Sequence, residues 1–185
     1  MSVKLSVVYF SGYGHTKAVA EVVAAAAQAE LISISSEGTL GDNDWETLNR
    51  SDAIIFGAPT YMGSAPWQFK RFSDDSSKIW AKLGWKDKIF AGFTNSAALN
   101  GDKFNTLLQF QTLASQHGGI WVGLGILPAS LKASSRNDIN NLGGFSGLLV
   151  QSPADAGADE IPSGDLETAK LFGKRVFDIA EKFVK

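Results

Sequence analysis

The chain has 185 residues, no cysteine, and 17 lysines and arginines against 19 acidic residues, which gives a net charge of −2. This length fits one domain spanning residues 1–185, and the absence of thiols excludes disulfides, Cys-ligated zinc, iron–sulfur clusters and thiol catalysis. The balanced charge disfavours nucleic acid and membrane surfaces as partners, and a cytoplasmic protein is expected because no export signal or spanning segment is evident.

The N-terminal segment predicts a strand, a loop and a helix. Val3 to Phe10 is a nearly continuous apolar run, as expected for a strand buried on both faces of a parallel sheet. The sequence SGYGHT (residues 11–16) follows, and then an Ala- and Val-rich stretch with one apolar helical face. The first amides of a helix lack intrahelical partners, so glycines and hydroxyls here are typical of an anion-binding loop. We therefore predict that residues 11–16 bind the phosphate of a cofactor.

The composition of this loop excludes two common nucleotide-binding motifs. The loop has no lysine at the position that nucleoside-triphosphate loops require. Gly12 and Gly14 form a GxG, but Lys17 stands where a dinucleotide fingerprint needs its third glycine. An ordinary strand-to-helix turn is the alternative that stays open.

The rest of the chain alternates predicted strands and helices. Further strands are expected at residues 31–35, 53–57, 89–93 and 120–125. Helices are expected near Trp45, after Pro66, over 103–117 and from Leu166 to Phe183. Asn43 and Glu46 form a candidate capping box for the helix near Trp45. The stretch 126–162 has little periodicity, and we interpret it as a lid, a binding loop or an assembly arm.

Five strands alternating with helices predict a doubly wound α/β fold with a parallel sheet. Ligands of such sheets bind at the carboxyl ends of the strands. Three loops with polar and aromatic residues are expected there: residues 11–16, APTYMGSAP (58–66) and TNSAALNGD (94–102). The second loop can offer amides beside a stacking face, and the third can hydrogen-bond the polar edge of a heterocycle. Each loop by itself is also compatible with a simple connector.

Residue usage disfavours metal and side-chain nucleophile chemistry. His15 and His117 are the only histidines, which excludes a His-rich zinc site, and no carboxylates have the spacing of metal ligands. No GxSxG nucleophile elbow follows a strand. We therefore expect no metal and no catalytic triad. At the end of a helix, His117 is also compatible with simply complementing the helix dipole.

Several motifs together resemble one family. They are SGYGHT, GAPTYMGSAPWQFKRF, the Trp80 that follows, GGFSG at residues 143–147, and SGDLETAKLFGKRV near the C-terminus. Their order and spacing resemble the WrbA branch of the flavodoxin-like NAD(P)H:quinone oxidoreductases over nearly the whole chain. The resemblance implies a three-layer flavodoxin-like α/β fold whose five-stranded parallel sheet has the order 2-1-3-4-5, with FMN bound non-covalently.

The resemblance also implies roles for individual residues. The FMN phosphate would be held by Ser11, Gly12, Tyr13, Gly14, His15 and Thr16. The ribityl chain and the ring would be lined by Pro59, Thr60, Tyr61, Met62 and Gly63, and the ring edge by Asn95, Ser96, Ala97, Ala98, Leu99 and Asn100. A histidine like His117 lies by the flavin in this family and reaches it from a neighbouring subunit. Residues matching Tyr13 and Trp80 border the site for nicotinamide and quinone.

The function implied by the resemblance is FMN-dependent hydride transfer from NAD(P)H to a quinone. The flavin carries this two-electron, ping-pong chemistry, so no side chain is assigned a catalytic role. A homodimer or homotetramer is implied as well. Two alternatives stay open: a flavodoxin-type electron carrier, and a flavodoxin-fold module without catalytic activity.

Overall fold

A parallel β-sheet organises residues 2–184, which is the part of the chain that the computed structural model describes. Its strands are β1 (Leu5–Tyr9), β2 (Glu30–Ser33), β3 (Ala53–Pro59), β4 (Ile89–Ser96), β5 (Ile120–Trp121) and β6 (Leu148–Gln151). The helices are α1 (His15–Ala27), α2 (Asp42–Arg50), α3 (Trp67–Asp75), α4 (Ser77–Trp80), α5 (Lys103–Gln116) and α6 (Ser163–Val184), and a 3₁₀ turn covers Ala158–Glu160. The strand order is β2-β1-β3-β4-β5, and all pairs are parallel. The predicted flavodoxin-like fold is confirmed.

The fifth strand position is divided between two short strands. β5 pairs with the start of β4, where Ile120 is opposite Ile89, and β6 pairs with its end, where Leu148 is opposite Phe93. The single strand predicted at 120–125 is therefore wrong beyond its first two residues, and the stretch 126–162 contains a strand that periodicity did not reveal. β5 ends at Trp121, and the φ of +67° at Gly125 is incompatible with a strand that reaches residue 125. We call residues 122–147 the insertion.

Helices cover both faces of the sheet. On one face, α1 and α6 pack on the strands around Val7, Val19 and Phe172, all of which are fully buried. On the other face, α2, α3 and α5 enclose an aromatic cluster in which the ring centroids of Phe69 and Phe110 are 4.5 Å apart. Each fully buried side chain of this size contributes about 1.5–3 kcal/mol through its removal from water.

The helices that the sequence predicts are present, with one shifted start. The capping box expected at Asn43 and Glu46 is wrong: the first residue of α2 is Asp42, and the carboxylate of Asp44 accepts a hydrogen bond of 3.1 Å from the Gly41 amide. The amides at the start of a helix carry partial positive charge, so an acidic residue in the first turn stabilises the helix. This accounts for the earlier start of α2. Within residues 2–184, no helix is both long enough and apolar enough to cross a lipid bilayer.

Gly57 on β3 leaves room for the ring of its cross-strand neighbour Phe93. A Cβ at residue 57 would lie 2.2 Å from Cζ of Phe93, and that ring is fully buried. We therefore expect Gly57→Ala to lower the free energy of unfolding by about 1–3 kcal/mol, because the ring has no free space to enter. Urea denaturation measures the effect. Gly41→Ala is the control, since a Cβ there meets its nearest atom at 3.5 Å, and an equal loss in both variants would contradict the prediction.

Candidate functional site

A cavity of about 560 Å³ opens at the carboxyl edge of the sheet, where β1, β3 and β4 end. Its volume is in the range of small-molecule sites. The three loops at residues 11–16, 58–66 and 94–102 all contribute to its wall, and a fourth segment that follows β6 closes it. The wall is formed by Tyr13, His15, Thr16, Pro59, Thr60, Tyr61, Met62, Asn95, Ser96, Ala97, Ser152, Pro153 and Ala154.

Most of the cofactor-binding residues predicted from the sequence are therefore brought together. The other cofactor-binding residues predicted in these three loops do not line the cavity: Ser11, Gly12, Gly14, Gly63, Ala98, Leu99 and Asn100. Gly12 lies in an adjoining cleft of about 500 Å³, which shares Tyr13 and Tyr61 with the cavity and also contains Trp67. The role of each residue toward a cofactor stays a prediction.

The loop at residues 11–16 presents unpaired amides at the start of α1. The Ser11 hydroxyl oxygen accepts hydrogen bonds from the amides of Gly14, at 3.1 Å, and Lys17, at 3.2 Å, which draws the loop into a tight turn. Gly14 has a φ of +93°, a conformation that favours glycine. Within residues 2–184, the amides of Tyr13, His15 and Thr16 donate to no group. Such amides, together with the helix dipole, form a site for an anion that needs no lysine or arginine.

A chain of hydrogen bonds joins three of the four wall segments. The Thr16 hydroxyl donates to Oδ1 of Asn95, and Nδ2 of Asn95 donates to the Ser152 hydroxyl at 2.8 Å. All three side chains are buried. The hydroxyl of Thr16 is therefore engaged with Asn95, and the amide of Thr16 is the group left free for an anion. The chain fixes the polar floor of the cavity because each buried polar group has a partner.

A tight hairpin carries Tyr61 into the cavity wall. Tyr61 and Ser64 exchange two backbone hydrogen bonds of 2.8 and 3.2 Å, and the two residues between them, Met62 and Gly63, have φ values of +49° and +82°. Two positive φ values are typical of the two-residue turn that matches the twist of paired strands. The side-chain amide of Asn105 on α5 donates to the Gly63 carbonyl at 2.7 Å. The hairpin is thus held by the neighbouring helix.

Two tyrosines form an aromatic wall at the mouth of the cavity. The rings of Tyr13 and Tyr61 meet edge to face, with their centroids 6.2 Å apart. A Cβ on Gly12 would lie 2.8 Å from the Tyr61 hydroxyl, so only glycine allows this approach. Burial, and then the neighbouring Tyr13, raise the pKa of Tyr61, which keeps its phenol protonated at neutral pH. Tyr13 is 81% exposed and Met62 is completely exposed, so the rim of the cavity faces solvent.

Trp80 and His117 do not lie at this cavity. Trp80 is the last residue of α4, and His117 follows α5. These helices lead back toward the starts of β4 and β5, so both residues lie near the amino edge of the sheet. His117 is 1% exposed, its Nε2 shares a hydrogen bond of 2.9 Å with the Ser76 hydroxyl, and its ring packs on Trp85. Such a buried side chain cannot extend into a neighbouring subunit. The expectation that His117 lies beside a flavin is therefore corrected. Trp80 lines neither this cavity nor the adjoining cleft, and its role toward nicotinamide or quinone stays a prediction.

The environment of His117 is that of a neutral core residue. Burial lowers the pKa of His117 to about 4, because the charged imidazolium is poorly solvated there. Within residues 2–184, its Nδ1 has no hydrogen-bond partner. The interpretation that this residue complements the helix dipole needs a charged ring, and it does not apply either, since the ring is uncharged at neutral pH.

Comparisons with known proteins agree with this geometry. The family model of the flavodoxin domain matches residues 6–113, which is more than half of the chain. The chain belongs to the flavodoxin family. It is 60% identical over 179 residues to flavodoxin FldP of Pseudomonas aeruginosa (strain UCBPP-PA14), covering 97% of both chains. It is 30% identical over 204 residues to an NAD(P)H dehydrogenase (quinone) of Syntrophus aciditrophicus (strain SB), covering 97% of this chain and 98% of that protein.

A solved structure supports the same assignment for this flavodoxin-family chain. The flavodoxin, WrbA-like protein from Agrobacterium tumefaciens is 48% identical, has a TM-score of 0.82, and covers 98% of this chain and 99% of that one. The resemblance that the sequence motifs indicated is therefore confirmed. The similar proteins include one named flavodoxin and, at lower identity, one named NAD(P)H dehydrogenase (quinone).

A flavodoxin domain implies an FMN cofactor, and the residues around the cavity fit that group. The unpaired amides at the start of α1 suit a phosphate. The tyrosine wall provides a flat apolar face for a ring, and the hydrogen-bonded floor of Thr16, Asn95 and Ser152 offers polar contacts. The chemistry of the donors, rather than the size of the cavity alone, makes this agreement specific.

The sequence did not predict residues 152–154 individually as part of the wall, although a binding loop was one of the three interpretations of the stretch 126–162. This wall segment follows β6, whose four residues, LLVQ, alternate between buried and half-buried positions. A short apolar run, Leu148 to Val150, ended by Ser152 and Pro153 is a recognisable strand and turn signal. The signal is weak because the strand is short and lies within a long stretch without periodicity.

Proposed function

We propose that this chain is an FMN-binding electron carrier. The observation that carries the proposal is the chemistry of the cavity wall, which offers hydrogen-bond donors and an aromatic face but no carboxylate or ammonium group. The one imidazole of the wall, that of His15, is engaged with the Ala156 carbonyl at 2.9 Å. A wall of this kind can hold and orient a redox cofactor, and it has no carboxylic acid or ammonium group to exchange a proton with a substrate. The 60% identity to a protein named flavodoxin supports the same proposal.

In this proposal the protein would bind FMN in a cavity whose rim is open to solvent. Bound FMN supplies the electron-transfer chemistry. The amides of Tyr13, His15 and Thr16 bind the phosphate, and the Thr16, Asn95 and Ser152 side chains keep the loops in register. Tyr13 and Met62 form an exposed rim, so a redox partner can approach the cavity without a conformational change.

The second candidate is an NAD(P)H:quinone oxidoreductase. The adjoining cleft of about 500 Å³ supports it, because the cleft shares the tyrosine wall with the cavity and leaves room for another small molecule beside the cofactor. The 30% identity to a protein named NAD(P)H dehydrogenase (quinone) supports it as well. NAD(P)H, a quinone, a homodimer or homotetramer and a cytoplasmic location belong to this second proposal.

One set of measurements separates these candidates. The purified chain is reconstituted with FMN, its visible spectrum is recorded, and oxidation of NADH and NADPH is followed with and without benzoquinone. We expect a yellow protein whose NAD(P)H oxidation does not exceed that of free FMN, as a carrier requires. Turnover in proportion to protein concentration would favour the oxidoreductase. Failure to retain FMN would reject both and leave the flavodoxin-fold module without catalytic activity.

A further inference from the structure

In the loop between β4 and α5, consecutive backbone carbonyls accept hydrogen bonds from two side chains. The carbonyl of Ala97 accepts a hydrogen bond of 2.9 Å from the side-chain amide of Gln151. The ammonium group of Lys103 donates to the carbonyls of Ala98 and Leu99, the second at 3.0 Å. Three consecutive carbonyls are therefore directed toward Lys103 and Gln151, which lie at the start of α5 and the end of β6.

This arrangement fixes the direction of the loop amides. In a trans peptide the C=O of one residue and the N–H of the next point in opposite directions. Carbonyls at 97–99 that point toward Lys103 and Gln151 therefore turn the amides of Ala98, Leu99 and Asn100 the other way. Within the described part of the chain, residues 2–184, these three amides donate to no group. Ser96 and Ala97, at the start of the same loop, line the cavity.

The two side chains that bind the carbonyls are themselves held firmly. Lys103 is 1% exposed, and burial lowers its pKa to about 8 against the opposing effect of Asp165. Gln151 is fixed by an ion pair between α6 and the insertion: both carboxylate oxygens of Asp165 accept hydrogen bonds from Arg136. The backbone amide of Gln151 donates to Asp165 at 2.8 Å, and Arg136 Nε donates to Gln151 Oε1 at 3.2 Å. A buried cation such as Lys103 and a buried carboxylate such as Asp165 are costly unless their hydrogen bonds are satisfied, as they are here.

We propose that Lys103 and Gln151 are positioning residues. They hold the loop after β4 so that the amides of residues 98–100, which follow the cavity wall in the chain but do not line it, face a ligand that extends past Ser96 and Ala97. The ligand chemistry that matches such a set of donors is the edge of a planar heterocycle rich in carbonyl oxygens and unprotonated ring nitrogens, as in the isoalloxazine of FMN. The inference rests on the proposed binding of FMN. It deepens that proposal because it separates recognition of the ring from recognition of the phosphate, which is bound at residues 11–16.

Lys103→Met is the direct test, with FMN and riboflavin as probes. These two ligands share the ring and differ in the phosphate. We expect the variant to bind both more weakly by the same factor, about tenfold for each donor lost, because the released carbonyls let the amides turn away. Lys170→Met is the matched control, since Lys170 is exposed on α6 and, among residues 2–184, its ammonium group pairs with Glu167 alone. Fluorescence titration at pH 7 measures both affinities.

A second readout follows the amides themselves. In the ¹⁵N-labelled apoprotein, addition of riboflavin should shift the amide resonances of residues 98–100 in the wild type and leave them nearly unchanged in Lys103→Met. Lys103→Arg, which retains a cation, should restore part of the shift and of the affinity. If Lys103→Met does not fold, Gln151→Leu provides the same measurement through the Ala97 carbonyl.

The outcomes distinguish this inference from the function on which it rests. Equal affinity of the wild type and Lys103→Met for both ligands would overturn the positioning role and leave FMN binding intact. A loss for FMN without a loss for riboflavin would overturn it too, because the effect would then act on the phosphate. If the wild type bound neither ligand, the proposed function and the positioning role would fall together.

Discussion

Replacement of Ser11 and Gly14 together by alanine should weaken FMN binding on the order of 100-fold and leave riboflavin binding nearly unchanged. The Ser11 hydroxyl anchors two amides of the loop, and Gly14 has a φ of +93° that strains any other residue. A Cβ on Gly14 meets no atom within 4 Å, so its effect acts through the backbone alone. The unpaired amides of Tyr13, His15 and Thr16 would then no longer converge on the phosphate.

The control for this variant is Ser115→Ala combined with Gly143→Ala. Ser115 is an exposed serine on α5, and Gly143 has a φ of +68° at a position where a Cβ would meet its nearest atom at 3.9 Å. The control therefore repeats the loss of a hydroxyl and the backbone strain outside the cavity. Fluorescence titrations with FMN and riboflavin give the selectivity of each protein. A selectivity in Ser11→Ala/Gly14→Ala equal to that of the control would contradict a phosphate site at residues 11–16.

Acid should destabilise the folded protein through His117. The pKa of this residue is lowered from 6.5 to about 4 by burial, so between these values the unfolded chain binds a proton that the folded chain does not. The stabilising contribution of the neutral ring is complete above pH 6.5 and is lost as the pH falls toward 4. The loss amounts to about 3 kcal/mol in total and at most about 1.4 kcal/mol per pH unit.

His117→Gln tests this pH dependence, because the amide cannot titrate and can still bond with the Ser76 hydroxyl. Urea unfolding at several values between pH 4.5 and 7.5 should give a shallower fall in the free energy of unfolding for the variant than for the wild type. Carboxylates titrate in both proteins, and their contribution cancels in the difference between the two slopes. Parallel curves below pH 6.5 would show that the ring is not kept neutral by the fold.

The cavity wall was largely predictable from the sequence for a topological reason. Loops that follow parallel strands meet at one edge of the sheet, so Tyr13, Tyr61 and Asn95 could be grouped before any contact was known. The strand order followed from the family resemblance, whereas the positions of the first four strands followed from apolar runs in the sequence. The fifth strand did not, because its two halves are separated by the insertion and neither half is long enough to show periodicity.

His117 illustrates the limit of transferring a role by resemblance. Its position at the end of a helix was correctly predicted, yet its burial depends on Trp85 and Ser76, which lie 32 and 41 residues earlier in the chain. The surroundings of a side chain depend on which elements pack together, and a motif match does not include them. The same holds for Lys103, whose sequence context resembles an ordinary helix start although its ammonium is buried among carbonyls.

Local patterns in the sequence determined the class of the fold and the positions of most strands and helices, because apolar periodicity and glycine placement act over a few neighbouring residues. The strand order followed from the resemblance to a known family, and anion binding at residues 11–16 stays a prediction. Only the tertiary structure decided that residues 152–154 close the cavity, that Lys103 and Gln151 hold the loop after β4, and that His117 is in the core. These features depend on contacts between distant segments, and such contacts are set by the packing of helices on the sheet rather than by any local pattern.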